Sequence, residues 1–118
     1  MTGQELALAA AAVCRDKLAD DIVVLDLRGQ SGLSDWFVLA TAGSTVHAQG
    51  LARAVEATLK AQGQRVHHVE GDSSGEWILL DYLDVVVHIL LGEVRQFYGL
   101  ERLWGDVPRQ TVEPDSEA

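Results

Sequence analysis

The thirty residues from Trp77 to Asp106 constrain the fold of this chain more than any other segment. They read WILLDYLDVVVHILLGEVRQFYGLERLWGD. Two apolar runs separated by a short polar interruption predict two β-strands joined by a tight turn, and the aromatic-rich remainder predicts a helix. Because the strands are apolar on both faces, either both faces are buried within one chain or one face is covered by a partner.

The turn between these two strands decides which side chains share a face. A two-residue hairpin loop at Tyr82 and Leu83 would place Asp81 opposite Asp84. Alternation along each strand then gives one purely aliphatic face, formed by Ile78, Leu80, Val85, Val87 and Ile89. The other face is mixed and contains Trp77, Leu79, Asp81, Asp84, Val86 and His88.

The aliphatic face is interpreted as core, and the mixed face as a half-exposed recognition surface. Aromatic residues are enriched at interface hot spots, and three polar groups on a buried face would each need a partner. The alternative is a helix packed over the mixed face, with Trp77 as an ordinary core residue. Leu83 is unusual in a tight turn, because a side chain at positive φ costs about 1 kcal/mol or more. The turn is therefore strained, or the loop is longer.

Apolar periodicity and turn residues predict the other elements. They indicate a helix over residues 3–19, strands over 22–27, 36–41 and 65–70, and a helix from Ser44 or Thr45 to Gly63. A last helix begins near Gly92, with Val94, Phe97 and Tyr98 on one stripe that provides core or dimer contacts.

This order of elements predicts one α/β domain over residues 1–107. Its expected architecture is a mixed five-stranded sheet flanked by helices. Residues 108–118 contain two prolines and several acids, and we expect a disordered acidic tail there.

The charge of the chain favours a protein partner over nucleic acid. Eighteen acidic residues outnumber nine basic ones, giving a net charge of -9, and the basic residues are scattered. Phosphate binding needs clustered Lys and Arg, so we expect little direct nucleic-acid contact. An acidic surface suits a basic protein partner, although it also serves solubility alone.

The lone cysteine and the lack of a long apolar stretch bear on location. Cys14 has no second cysteine to form an intrachain disulfide, which favours a reducing compartment. No apolar run is long enough to cross a membrane. We therefore expect a cytoplasmic protein without a membrane contact.

The polar residues do not form a convincing catalytic or metal site. Asp84 and His88 are four residues apart on a strand, about 13 Å, too far to share one metal ion. Gly43 and Ser44 at a helix start could hold a phosphate, but the following strands lack the paired acids that nucleotidyl transfer requires. We expect no enzyme activity, no cofactor and no metal.

Several segments resemble the ribosomal silencing factor family, also called RsfS or the Iojap family. They are DIVVLDL, DWFVLAT, Glu70-Gly71, WILLDYLDVVVH and RQFYGLERLWGD, and together they run through the chain up to the tail. The combination of the LLDY-x-DVVVH strand pair with the FY-x-LERLWGD helix is highly specific to that family.

The resemblance implies a nucleotidyltransferase-like fold without nucleotidyltransferase activity. It implies binding to the large ribosomal subunit through universal large-subunit ribosomal protein fourteen, which sterically blocks the small subunit and represses translation when nutrients are scarce. It also implies a homodimer when the protein is free. By similarity, the partner-binding residues are Trp77, Leu79, Asp81 and Tyr82, and the surface extends to Asp84 and His88.

The chain departs from the family pattern at three places. Leu83 stands where a glycine is usual, residues 44–47 lack a common arginine, and residues 90–92 replace a more polar entry to the last helix. Two other functions remain open. One is a homodimeric binding module for another basic protein, and the other is a nucleotide-binding enzyme of the nucleotidyltransferase type.

Overall fold

The computed structural model of the protein describes residues 1–30, 34–103 and 105–114. In chain order its elements are α1 (Gly3–Asp16), β1 (Asp20–Asp26), β2 (Trp36–Ala42), α2 (Thr45–Ala61), β3 (His68–Glu70), β4 (Trp77–Asp81), β5 (Val85–Leu91), α3 (Gly92–Tyr98), α4 (Leu100–Leu103) and β6 (Arg109–Val112). The predicted α/β class is confirmed.

The strands form one mixed sheet, in the order β3-β4-β5-β2-β1-β6. β2 and β5 run parallel, and the other neighbours run antiparallel. Six strands are present in the described part of the chain, so the prediction of five was one too few. The sheet separates two layers of helices, which cover its faces unequally.

The sixth strand lies in the segment predicted to be a disordered tail. Residues 109–112 pair with β1, and the Pro108 carbonyl accepts a hydrogen bond from the Asp26 amide at 2.9 Å. The prediction of disorder is wrong for this strand. The side chains of this strand are mostly exposed and polar, as an edge strand allows. The sequence therefore has no apolar run here that would predict a strand. Residues 115–118 lie outside the described residues.

The helices α1 and α2 cover one face of the sheet. Thr2 and Glu5 form a capping box at the start of α1, and Ser44 accepts a hydrogen bond from the His47 amide at the start of α2. α1 ends at Asp16, earlier than predicted, and Leu18 has a positive φ of 68°. The buried side chains of both helices join the aliphatic side of β4 and β5 in one core cluster.

The other face of the sheet carries α3 and α4. α3 begins at Gly92, as predicted, and packs on β5 and β2. It lasts seven residues, because Gly99 adopts a left-handed conformation with φ 57° and ends it. A second core cluster forms beneath these helices, with Phe37, Leu39, Leu90 and Leu100 among its members.

The hairpin between β4 and β5 has a different register from the predicted one. Asp81 pairs with Val86, and the Tyr82 amide donates to the Val85 carbonyl at 2.8 Å. Leu83 and Asp84 therefore form the loop, so the predicted pairing of Asp81 with Asp84 is off by two residues. An even shift keeps each strand residue on its predicted face.

Within the described residues, no helix is both long and apolar enough to span a membrane.

Candidate partner-binding surface

The mixed face of the hairpin is partly covered rather than open. Trp77, Leu79 and Asp81 are half-buried, and they alternate with the fully buried Ile78 and Leu80 on the aliphatic face. Trp77 and Leu79 pack against the cluster under α3 and α4. The predicted half-exposure of this face is present on β4, and the helix of the alternative interpretation covers part of it.

His88 lies under the surface rather than on it. It is buried, and its ring centroid is 4.6 Å from that of Phe37. Burial lowers the pKa of His88 to about 4, so the ring is neutral at pH 7. Strand alternation places His88 on the same face as Trp77, so it was predicted as a partner contact. The α3 side of the protein covers it, however. His88 is therefore removed from the candidate surface.

The buried His88 ring holds Trp77 in place. The Trp77 indole Nε1–H donates to His88 Nδ1 at 3.1 Å. Since Nδ1 accepts this hydrogen bond, the neutral ring carries its proton on Nε2. Among the described residues, Nε2 has no hydrogen-bond partner. His88 is thus a positioning residue for Trp77.

Tyr82 belongs to the opposite layer. It is buried in the core cluster under α1 and α2, and burial, with Glu56 nearby, raises the pKa of its hydroxyl to about 12. Its place follows from alternation, because Tyr82 continues the Ile78 and Leu80 side of β4. The sequence predicted a loop position and a partner contact for Tyr82. Because its side chain is buried, Tyr82 is also removed from the candidate surface.

Asp81 and Asp84 have different roles at the turn. Asp81 Oδ1 accepts a hydrogen bond from the Leu83 amide at 2.7 Å, and Ser34 Oγ donates to the Leu83 carbonyl at 2.9 Å. These contacts hold Leu83 at its positive φ of 74°. Asp84 is exposed in the loop rather than on the strand face. The predicted strain at Leu83 is therefore present in a two-residue loop.

The most exposed aromatic side chains of this layer come from α3. Phe97 is 80% exposed and Tyr98 is 54% exposed. Their ring centroids lie 5.0 Å apart, and the Tyr98 and Trp77 centroids are also 5.0 Å apart. We call Trp77, Phe97 and Tyr98 the aromatic patch. Exposed clustered rings of this kind mark binding surfaces.

The helical stripe predicts core or dimer contacts for Phe97 and Tyr98. Within α3, Val94 packs inward as the stripe predicts. The other inward position is taken by Arg95, whose Nη1 donates to the Asp21 carbonyl at 2.6 Å and to Thr41 Oγ1 at 2.9 Å. This rotation of the helix turns Phe97 outward.

A groove of about 560 Å³ runs beside the aromatic patch, between α3 and the start of β4. Its walls are formed by Ser74, Glu76, Trp77, Glu93, Val94, Phe97 and Tyr98. Gln49 on α2 supports the loop before β4, since its Nε2 donates to the Asp72 carbonyl at 2.9 Å. The surface therefore combines aromatic rings with carboxylates.

The other residues considered for chemistry serve the fold. The Gly43 amide donates to His47 Nδ1 and the Ser44 hydroxyl accepts from the His47 amide, so both cap α2. Burial raises the pKa of the Cys14 thiol to about 12. The described part of the chain contains no group of three or more His, Cys, Asp or Glu residues placed to hold a metal ion.

The family model described as "Ribosomal silencing factor during starvation" matches residues 1–118. The chain belongs to the ribosomal silencing factor family. It is 40% identical over 99 residues to Ribosomal silencing factor RsfS of Bacillus subtilis, a match that covers 84% of each chain. A crystal structure of a protein from Chromobacterium violaceum superposes with a TM-score of 0.86 at 34% identity, covering 99% of this chain and 98% of that one.

A more distant relative is the mouse protein named "Mitochondrial assembly of ribosomal large subunit protein 1". It is 29% identical over 93 residues, which are 76% of this chain and 41% of the mouse protein. Membership of the ribosomal silencing factor family assigns the chain to translation and the ribosome, as the sequence resemblance predicted. A regulatory family of this kind fits a binding surface better than a catalytic site.

Proposed function

We propose that this ribosomal silencing factor binds the large ribosomal subunit through universal large-subunit ribosomal protein fourteen and sterically blocks the small subunit. Translation is thereby repressed when nutrients are scarce. The observation that carries the proposal is the aromatic patch with Leu79 and Asp81 beside it, on the one layer of the sheet that the helices leave partly uncovered. Asp84 is exposed in the loop after β4, next to Gly3 at the start of α1, and so lies away from the aromatic patch.

The charge of the chain supports a basic ribosomal protein as the contact. A net charge of -9 attracts a basic partner and speeds association, whereas it opposes extensive contact with ribosomal RNA. The affinity would come from a few aromatic anchors in an interface of modest area. Phe97 and Tyr98 have the exposure that such anchors need before binding.

Steric blocking requires occupancy and no chemical step. The fold, which we propose to be nucleotidyltransferase-like without that activity, then serves only to present the surface. The name of the mouse relative refers to the large ribosomal subunit, which supports that subunit as the binding platform. We propose that the protein acts in the cytoplasm without a catalytic group of its own.

The free protein has the same exposed rings, and we propose that a homodimer covers them. Aromatic rings exposed to this extent favour self-association when no other partner is present. Dimerisation and binding to the large subunit would then be mutually exclusive. Sedimentation equilibrium of the free protein should show a dimer, and Phe97→Ala should weaken it.

Subunit joining measured by light scattering tests the function. Large subunits incubated with the protein should fail to associate when small subunits and magnesium are added. A pull-down with purified universal ribosomal protein fourteen should recover the protein directly. Normal joining at saturating protein would refute the silencing function, and a failed pull-down with blocked joining would refute only the named partner.

A further inference from the structure

The groove beside the aromatic patch has walls of two chemical kinds. The Trp77 and Tyr98 rings are inclined at 56°, and the Phe97 and Tyr98 rings at 87°, so their faces and edges meet at an angle. Two exposed carboxylates, Glu76 and Glu93, line the same groove. Within the described part of the chain, no basic side chain lines it.

These walls select the chemistry of the side chain that enters. An anion would be repelled by the two glutamates. A purely aliphatic side chain would bury them without giving a hydrogen-bond partner, which is unfavourable. A cation satisfies both kinds of wall, because aromatic faces attract positive charge and carboxylates pair with it.

The same protein already contains an arginine held in this way. The guanidinium carbon of Arg28 lies 4.7 Å from the centroid of the Trp36 ring. Its Nη2 donates to Asp26 Oδ2 at 2.8 Å. An indole face and a carboxylate thus position an arginine elsewhere on the surface of this fold, and the groove offers three aromatic rings and two carboxylates.

We propose that the groove between α3 and the start of β4 receives an arginine side chain of the partner protein. Arginine is preferred to lysine because its planar guanidinium stacks on a ring while its N–H groups reach a carboxylate. The inference rests on the proposed function, which makes the partner a basic protein of the large subunit. It adds the type of side chain that this protein recognises.

A pair of small probes isolates the positive charge. N-acetyl-arginine amide and N-acetyl-citrulline amide have nearly the same shape, but only the first is cationic. Each is titrated at constant ionic strength into the full-length protein labelled with nitrogen-15, up to tens of millimolar. The indole N–H signal of Trp77 is followed, after assignment with a Trp77→Phe variant.

The arginine probe should shift the Trp77 signal with a dissociation constant at least about fivefold lower than that of the citrulline probe. The double variant Glu76→Gln and Glu93→Gln should remove most of that difference. Glu113→Gln, an exposed change beyond β6 that removes one carboxylate, is the control and should leave the difference intact. Equal shifts for the two probes, no shift at Trp77, or no effect of the double variant would each overturn the proposal.

Co-sedimentation with large subunits separates this proposal from the proposed function. If Phe97→Ala loses co-sedimentation while the probes are not discriminated, the function stands and the arginine assignment is wrong. If the probes are discriminated but Phe97→Ala sediments normally, the groove selects arginine but the large subunit does not bind there, so both the partner assignment of the groove and the proposed binding face are wrong.

Discussion

The two faces of the sheet are built from alternate residues of the same strands, yet they differ in how far their side chains are buried. On the α1 and α2 side, the five aliphatic residues of the hairpin are all fully buried. On the α3 side, Trp77 and Leu79 are half-buried and His88 is buried. Phe97, on α3 itself, is exposed to solvent. The closed face provides stability, and the partly covered face leaves aromatic area available for a partner.

Leu80 and Leu79 provide the largest contrast between the faces. Leu80→Ala should lower the free energy of unfolding by about 2–5 kcal/mol, because it leaves a cavity in a fully buried layer. Leu79→Ala removes a half-buried side chain and should cost only about 1–2 kcal/mol. Urea denaturation of the two variants measures both values. Equal losses would show that the α3 side is as tightly packed as the α1 and α2 side.

The protonation of His88 should weaken the α3 side at acidic pH. Its folded pKa of about 4 lies below the unfolded value near 6.5, so the unfolded chain binds the proton first. The contribution of His88 to the free energy of unfolding is therefore fully present above pH 6.5. It falls by about 3 kcal/mol as the pH drops to about 4.

Denaturation curves between pH 4 and 7 test this contribution of His88 to stability. His88→Gln keeps a polar side chain beside the Trp77 indole but cannot titrate in this range, so it should remove that part of the pH dependence. If the variant shows the same slope as the wild type, another group is responsible. The indole N–H NMR signal of Trp77 should shift as His88 becomes protonated, because protonated Nδ1 can no longer accept the indole hydrogen bond.

The smallest expected effect lies at the turn that joins the two faces. Leu83 is 61% exposed and has a φ of 74°, so Leu83→Gly relieves backbone strain without loss of packing. The free energy of unfolding should rise by about 0.5 kcal/mol after the greater flexibility of glycine in the unfolded chain is subtracted. Leu83→Ala keeps the Cβ atom and should show no such gain. A gain of equal size in both variants would point to the exposed side chain instead of the backbone.

The hairpin shows what the sequence could predict. Alternation assigned Ile78 and Leu80 to the core correctly, because each strand residue keeps its face under any even shift of register. The register itself was wrong by two residues. It depends on contacts of the Asp81 carboxylate and of Ser34 with Leu83, and Ser34 lies far away in sequence.

The candidate surface was harder to predict than the core. The exposure of Phe97 follows from the rotation of α3, which Arg95 fixes through hydrogen bonds to Asp21 and Thr41. Those partners lie more than fifty residues away, so a helical stripe alone could not reveal them. Tyr82 could have been placed correctly, since it continues the alternation of β4, and β6 was missed because its residues are polar.

Co-sedimentation with purified large ribosomal subunits at several protein concentrations measures whether the α3 side binds the ribosome. Phe97→Ala on the α3 side is compared with Val46→Ala on α2, a control that is similarly exposed at 72%. Circular dichroism confirms that both variants are folded. We predict that Phe97→Ala binds at least about tenfold more weakly and that Val46→Ala binds as the wild type does. Wild-type affinity for Phe97→Ala, or an equal loss in both variants, would contradict the assignment of binding to the α3 side.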